Sequence, residues 1–370
     1  MNLNGTALNL LRIYATALVF LCHSTIIARE SFGYEIKDFL FFRSFFLTPA
    51  WGGVWIFLTI GGFLAAYGFD IGKYSLDKAG IKNYYKGRIV KILIPTYIFI
   101  SLSYIFNMHD SKVTFGTILQ WLTCTFNGHN AGITYVGASW YVFILMWLYL
   151  LSPYLYKWML IFEKKRKGKE LKSYCKLSFL IFIVGILYRF SVTIIDHFNN
   201  HQLYYDWGYA NVLCCLDIFF IGMIGERVLH FLPEIAERKI VKLRNLAVAM
   251  ICLSTIVFMG EFKYLITVYH FLGAFSFSFS TLLLLVFYNL KISNKTNNSS
   301  RIVRFSSLLS ANTFTFYLWH SLLLGYVANK IDVQNIHMHY FAMLTVGTMV
   351  TAYVAFLMTK MNNGIIKIFK

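Results

Sequence analysis

Residues 10–24 read LLRIYATALVFLCHS. The run is apolar enough for the interior of a membrane helix, yet Arg12 stands near one end and His23 near the other. The rest of the chain decides which solvent this stretch meets. Of 370 residues, 58% are hydrophobic, 19% aromatic and only 14% charged, and the mean hydropathy is +0.59. A soluble domain of this length needs far more charge on its surface. Many runs approach the roughly 20 residues that a helix needs to cross a bilayer. They do not alternate apolar and polar residues, as strands of a membrane barrel do. The expectation is an all-α, polytopic integral membrane protein.

Ten candidate helices fall near 8–27, 51–69, 92–108, 138–157, 177–195, 211–231, 245–260, 264–290, 311–328 and 340–358. Charge between the runs orients them. Basic blocks follow the second helix (Lys73, Lys78, Lys82, Lys86, Arg88, Lys91), the fourth (EKKRKGKELKSYCK) and the eighth (Lys291, Lys295, Arg301, Arg304). The block after the sixth (Arg227, Arg238, Lys239, Lys242, Arg244) is partly offset by Glu226, Glu234 and Glu237. The C-terminal stretch adds Lys360, Lys367 and Lys370. The other loops are near neutral or acidic, as in DHFNNHQLYYD. Lys and Arg mark cytoplasmic loops, so both termini are expected in the cytoplasm and the helix count is even. This placement also explains the net charge of +18 without nucleic acid as a partner. Residues 1–370 are read as a single transmembrane domain with no appended soluble domain, and the first run as an uncleaved helix. The six cysteines show no zinc spacing and are read as small buried residues.

Eleven steps of an α-helix separate Arg12 from His23, which places them on nearly one face about 16 Å apart along the axis. Thr16 and Val19 lie between them on that stripe. An arginine in a span costs at least ~2.5–3.5 kcal/mol on insertion scales and faces a cavity or a partner, unless it snorkels to the headgroups. Arg88 and Lys91, in YYKGRIVKILIP, share a face at i and i+3. They read either as an anchor at the inner surface or as a phosphate clamp. The glycines of WGGVWIFLTIGGFLAAYGF allow close packing or room for a ligand. Arg189, Asp217, His270 and His320 fall in outer halves of helices and, with His23, outline a polar cavity open outward. There is no P-loop, HExxH or supported GxSxG, and no metal-ligand spacing; no metal is expected. GHNAG at 128–132 is an outer loop with no assigned chemistry.

In order along the chain, these motifs resemble acyltransferase family 3 of membrane proteins. Arg12 and His23 match its Arg-x10-His. Gly53, Val54, Phe57, Gly62 and Phe63 approximate its second-helix pattern. Arg88, Lys91 and Pro95 match R-x2-R-x3-P, with lysine for the second arginine. Trp140, Tyr149 and Pro153 match W-x8-Y-x3-P, and Tyr317 and His320 match Y-x2-H. Three positions depart. Gly61 stands where many members have serine, Trp55 where many have aspartate, and Leu145 and Met146 where many have a glutamate. The pattern is closest to the surface-polysaccharide O-acetyltransferase-like subgroup.

The resemblance implies transfer of an acetyl or other small acyl group, succinyl included, from acetyl-CoA or another acyl-CoA. The acceptor is a sugar hydroxyl of a cell-envelope or exported polysaccharide or glycolipid. His23 is expected as general base or acyl carrier, with Arg12 holding the donor or orienting His23. Arg88 and Lys91 are expected on the CoA phosphates, and His320, Trp140 and Tyr317 on the acceptor. Acyl-CoA, the glycan, the bilayer and other envelope-polysaccharide biosynthesis proteins are the implied partners, and the plasma (inner) membrane the location. The competing readings are an exporter or flippase of a polysaccharide or lipid-linked glycan, and a polysaccharide polymerase.

Overall fold

The computed structural model describes residues 5–32, 49–106, 113–126, 136–198, 204–232, 235–258, 266–289, 301–333 and 335–368. Side chains at 29, 30, 32, 204, 205, 237, 266–271, 302 and 336 lie outside that description, and so do the expectations for His270 and for GHNAG. Among the described residues every regular element is helical: α1 (Gly5–Phe32), α2 (Ala50–Asp70), α3 (Lys78–Arg88), α4 (Ile94–Phe106), α5 (Phe115–Leu122), α6 (Trp140–Lys165), α7 (Glu170–Phe198), α8 (Val212–Phe231), α9 (Glu237–Val257), α10 (Ile266–Asn289), α11 (Arg301–Ala328) and α12 (Ile336–Ile368). Eight helical segments are long and apolar enough to cross a membrane, so the chain is a multi-pass membrane protein. The other two long helices, α8 and α11, carry much of the interior polarity, including Asp217, Glu226 and Arg227 on α8 and Thr313, Thr315 and His320 on α11.

Several helices outrun their apolar cores. α6 continues to Lys165, α11 begins at Arg301 and α12 extends to Ile368. A helix that emerges from lipid keeps its hydrogen bonds while its side chains turn polar, and hydropathy cannot see that extension. The turn between α6 and α7 passes through Gly168 at φ +80, a left-handed conformation that strains residues with a Cβ. The amphipathic α5, capped by the Thr114 hydroxyl, is too short to register as a span.

One structure-making residue shapes the entry to α4. Pro95 has no N–H, so the helix cannot close its bond to the Lys91 carbonyl. The chain answers with a π turn over Ile89–Leu93, in which Ile94 N–H reaches the Ile89 carbonyl. α3, this turn and α4 thus form one continuous helical rod.

α2 is buried on nearly every side and packs against α1, α6, α8 and α10. Its crossing with α8 is a backbone-to-backbone contact. A Cβ at Gly62 would overlap the Phe219 carbonyl, and one at Gly222 would overlap the Thr59 carbonyl. The glycines at this crossing therefore serve packing, the usual device for joining helices in lipid. α7, α9 and α12 instead expose Phe179, Leu187, Leu253 and Met349 outward, as lipid-facing helices do. The cysteines divide in the same way. Cys214 and Cys215 are buried, whereas Cys175 and Cys252 are exposed, which corrects the expectation of uniform burial. Glu226 and Arg227, expected as loop charges, belong to α8 and are buried.

Candidate active site

α1 packs against α11, and this contact brings the two histidines together. His23 Nδ1 lies 2.6 Å from His320 Nε2, with the rings nearly parallel at 4°. His320 Nδ1 lies 2.6 Å from the Tyr317 carbonyl oxygen. A carbonyl only accepts, so His320 Nδ1 carries the proton. In the neutral ring Nε2 is then an acceptor, and the contact requires the proton of His23 to sit on Nδ1. His23 Nε2 is left as the unprotonated nitrogen. Ser321 Oγ touches both partners, at 3.1 Å from His320 Nε2 and 3.3 Å from His23 Nδ1. One turn of α11 thus fixes the tautomer of a residue nearly 300 positions away in sequence.

A second cluster forms around Arg88. Its guanidinium sits over the Tyr149 ring at 4.3 Å and the Tyr84 ring at 4.8 Å, in cation–π geometry. Arg88 Nε is buried with no hydrogen-bond partner among the described residues. Arg12 lies within Coulombic reach of Arg88, Tyr141 and Tyr149. Two cations, three phenols and an orphaned N–H make a receptor for an anion.

The position of Tyr149 follows from the proline four residues later. Pro153 removes the N–H that would bond the Tyr149 carbonyl. The Ser152 hydroxyl donates to that carbonyl at 2.9 Å and also meets the Tyr84 hydroxyl at 2.7 Å. The spacing of Tyr149 and Pro153 therefore has a local cause, and it ties α6 to α3 beside Arg88.

Aromatic rings connect the two clusters. Tyr141 and Tyr317 have centroids 5.8 Å apart, and Tyr317 and His320 are also 5.8 Å apart. The Tyr317 hydroxyl donates to the Ala138 carbonyl at 2.6 Å. Trp140 is buried beside Tyr209, with centroids at 5.0 Å. Two departures from the resembled pattern also meet here. A Cβ on Gly61 would lie 3.3 Å from Leu145 Cδ1. Gly61 and Leu145, two of the departing positions, thus pack against each other without charge.

Several expectations need revision. His320, expected on the acceptor, is bonded to His23. Lys91 is exposed, whereas Arg88 is drawn in over two rings; the π turn replaces the α-helical spacing that predicted a shared face. Arg189 and Asp217 pair with each other at 2.6 and 3.0 Å. Arg189 also donates to the Gly185 and Cys214 carbonyls. The pair borders a separate apolar cavity of about 510 Å³ between α7, α8 and α10, so it does not join the histidines in one polar cavity. Reading the sequence alone missed Ser321, Tyr141 and Tyr84. Only the adjacency of Ser321 to His320 and of Tyr141 to Trp140 pointed toward two of them.

A family model described as an acyltransferase domain matches residues 6–360, which takes in both clusters. No curated protein and no solved structure matches the chain.

Proposed function

The chain belongs to acyltransferase family 3, and from that premise we propose that it moves an acetyl or other small acyl group from cytoplasmic acyl-CoA to a sugar hydroxyl of a cell-envelope or exported polysaccharide or glycolipid. The observation that carries this reading is the bonded series from Tyr317 to His320 to His23, which leaves His23 Nε2 free to take a proton. The acceptor hydroxyl gives its proton to that nitrogen as its oxygen attacks the thioester carbonyl. The C–S bond then breaks, and the proton leaves with the CoA thiolate. His320 Nε2, accepting from His23 Nδ1–H, stabilises the imidazolium formed between these steps. A positioned base of this kind contributes about 10²–10⁴-fold.

On the donor side, Arg12 and Arg88 hold phosphate, and Lys91 adds positive charge at the exposed surface of the same rod. On the acceptor side, Trp140 and Tyr317 shape the approach to His23. The protein then resides in the plasma (inner) membrane, with its basic face and both termini in the cytoplasm.

The test compares O-acyl groups on surface glycans, by NMR or mass spectrometry, in cells lacking the gene and complemented with wild type or His23→Ala. Wild type restores the acyl groups and His23→Ala, inserted at equal level, does not. Full acylation by His23→Ala sinks the mechanism. Unchanged O-acylation together with lost glycan export points to the transporter reading instead.

A further inference from the structure

A third cluster lies where the C-terminal ends of α2, α6 and α8 meet, on the side the basic loops assign to the cytoplasm. Arg227 organises it. Its guanidinium binds both oxygens of Glu163, at 2.7 and 2.9 Å, and gives Nη1 to Asp70 Oδ1 at 2.6 Å. The Tyr174 hydroxyl also donates to Glu163 at 2.6 Å. Arg227 Nη1 also reaches the Tyr156 hydroxyl at 3.4 Å, and the second oxygen of Asp70 meets another partner.

That oxygen faces His230. His230 Nε2 lies 3.2 Å from Asp70 Oδ2 and 3.3 Å from Glu226 Oε1, and one donor atom from each residue lies within 4.8 Å of the other two. Glu226 is fully buried, and its Oε2 has no hydrogen-bond partner among the described residues. A buried carboxylate left short of partners is strongly unfavourable without a compensating cation. Three carboxylates against one guanidinium leave a net charge of about −2 with a neutral imidazole, on the face where this chain is otherwise basic. A dication cancels that charge.

The spacing favours the same occupant. Around a tetrahedral ion with bonds of about 2.0–2.2 Å, neighbouring ligand atoms stand roughly 3.3–3.6 Å apart. The imidazole nitrogen keeps close to that distance from both carboxylates. One imidazole with two carboxylates suits a borderline transition ion better than Mg²⁺ or Ca²⁺, which take oxygen shells. The His230 side chain is one-third exposed, at 33%, so an ion reaches the site from water.

We propose that Asp70, Glu226 and His230 bind a divalent transition-metal ion of the Zn²⁺ or Mn²⁺ class, which pins the end of α2 to the end of α8. The ion closes the same helix pair whose backbones touch at Gly62 and Gly222. This site is separate from the histidine pair and does not depend on the acyl-transfer reading.

The test uses tag-free, full-length protein in detergent, stripped with chelator and titrated with Zn²⁺ and with Mn²⁺ by calorimetry, alongside thermal unfolding. One ion per chain binds wild type and raises its Tm. His230→Ala and the shape-preserving Glu226→Gln each weaken binding at least tenfold and lose the Tm response. His337→Ala, which alters an exposed histidine elsewhere, binds as wild type does. Stripped protein that takes up no ion overturns the site, as does equal affinity in wild type and both variants. A lower Tm in His230→Ala with ion binding unchanged also overturns it, and shows a proton bridge between carboxylates instead. If His230→Ala elutes aggregated, Glu226→Gln still decides.

Discussion

At the scale of single residues, the site separates position from chemistry. His320 meets no free surface through its bonded nitrogens; both are engaged, one by Tyr317 and the other by His23. In the proposed mechanism it positions His23. His320→Gln can place an amide oxygen where Nε2 accepts the His23 proton, whereas His320→Ala leaves that proton unpaired. The Ala variant is expected to lose about 10²–10³-fold in kcat, since a base held in the wrong tautomer loses most of its value. The Gln variant recovers at least part of the loss, with KM for acyl-CoA unchanged in both. Equal kcat in the two variants would remove His320 from the mechanism. Arg88 predicts the opposite split. Arg88→Ala raises KM for acyl-CoA about 10–100-fold, the worth of one or two charge-assisted bonds, with a smaller effect on kcat. Arg88→Lys recovers little of this, because a point charge cannot cover two rings as a planar fork does.

That Arg12 and His23 share one stripe of α1 could be read from spacing alone, since both lie on a single helix. The bond between His23 and His320 could not, because it depends on how α1 lies against α11. No local pattern records that crossing.

At the scale of elements, prolines and glycines explain more than hydropathy does. Pro95 and Pro153 each free a carbonyl one turn back, and a π turn and the Ser152 hydroxyl absorb the consequences. Their spacing from Lys91 and Tyr149 could be read in the sequence; the π turn that parts Lys91 from Arg88 could not. The Arg189–Asp217 pair is the other element-scale feature, holding α7 to α8 inside the bundle. Removing one partner strands a buried charge, so Arg189→Met or Asp217→Leu alone is expected to destabilise by about 3–5 kcal/mol. The double variant Arg189→Met/Asp217→Leu is expected within about 1 kcal/mol of wild type. Thermal unfolding in detergent reads both. Additive losses in the double variant would mean that the residues act separately. Hydropathy marked both residues as intramembrane polar groups, but each is the other's partner, and partnership is a fact of packing.

At the scale of the whole molecule, the class and the positions of the long helices followed from composition and run length, because lipid forces every spanning backbone to satisfy itself. The short α5, the extended helix ends and the buried cluster at Arg227 did not follow. Their residues resemble ordinary loop polarity until the chain folds. Orientation is what joins the site to its proposed donor. Arg12 lies in the N-terminal part of α1 and Arg88 at the C-terminal end of the basic α3, and His23 lies further along α1. If the basic loops are cytoplasmic, the cations meet a cytoplasmic acyl-CoA and the histidine stands deeper toward the opposite face. Alkaline phosphatase fused after Lys167, in the basic turn between α6 and α7, is therefore expected to be inactive, and the same reporter fused after Asn200 active. Green fluorescent protein at the C-terminus is expected to fluoresce. The inverse pattern would place Arg12 and Arg88 on the side without acyl-CoA. It would leave the histidine pair intact as chemistry but reverse its supply, so the donor would have to be an exported, activated acyl group.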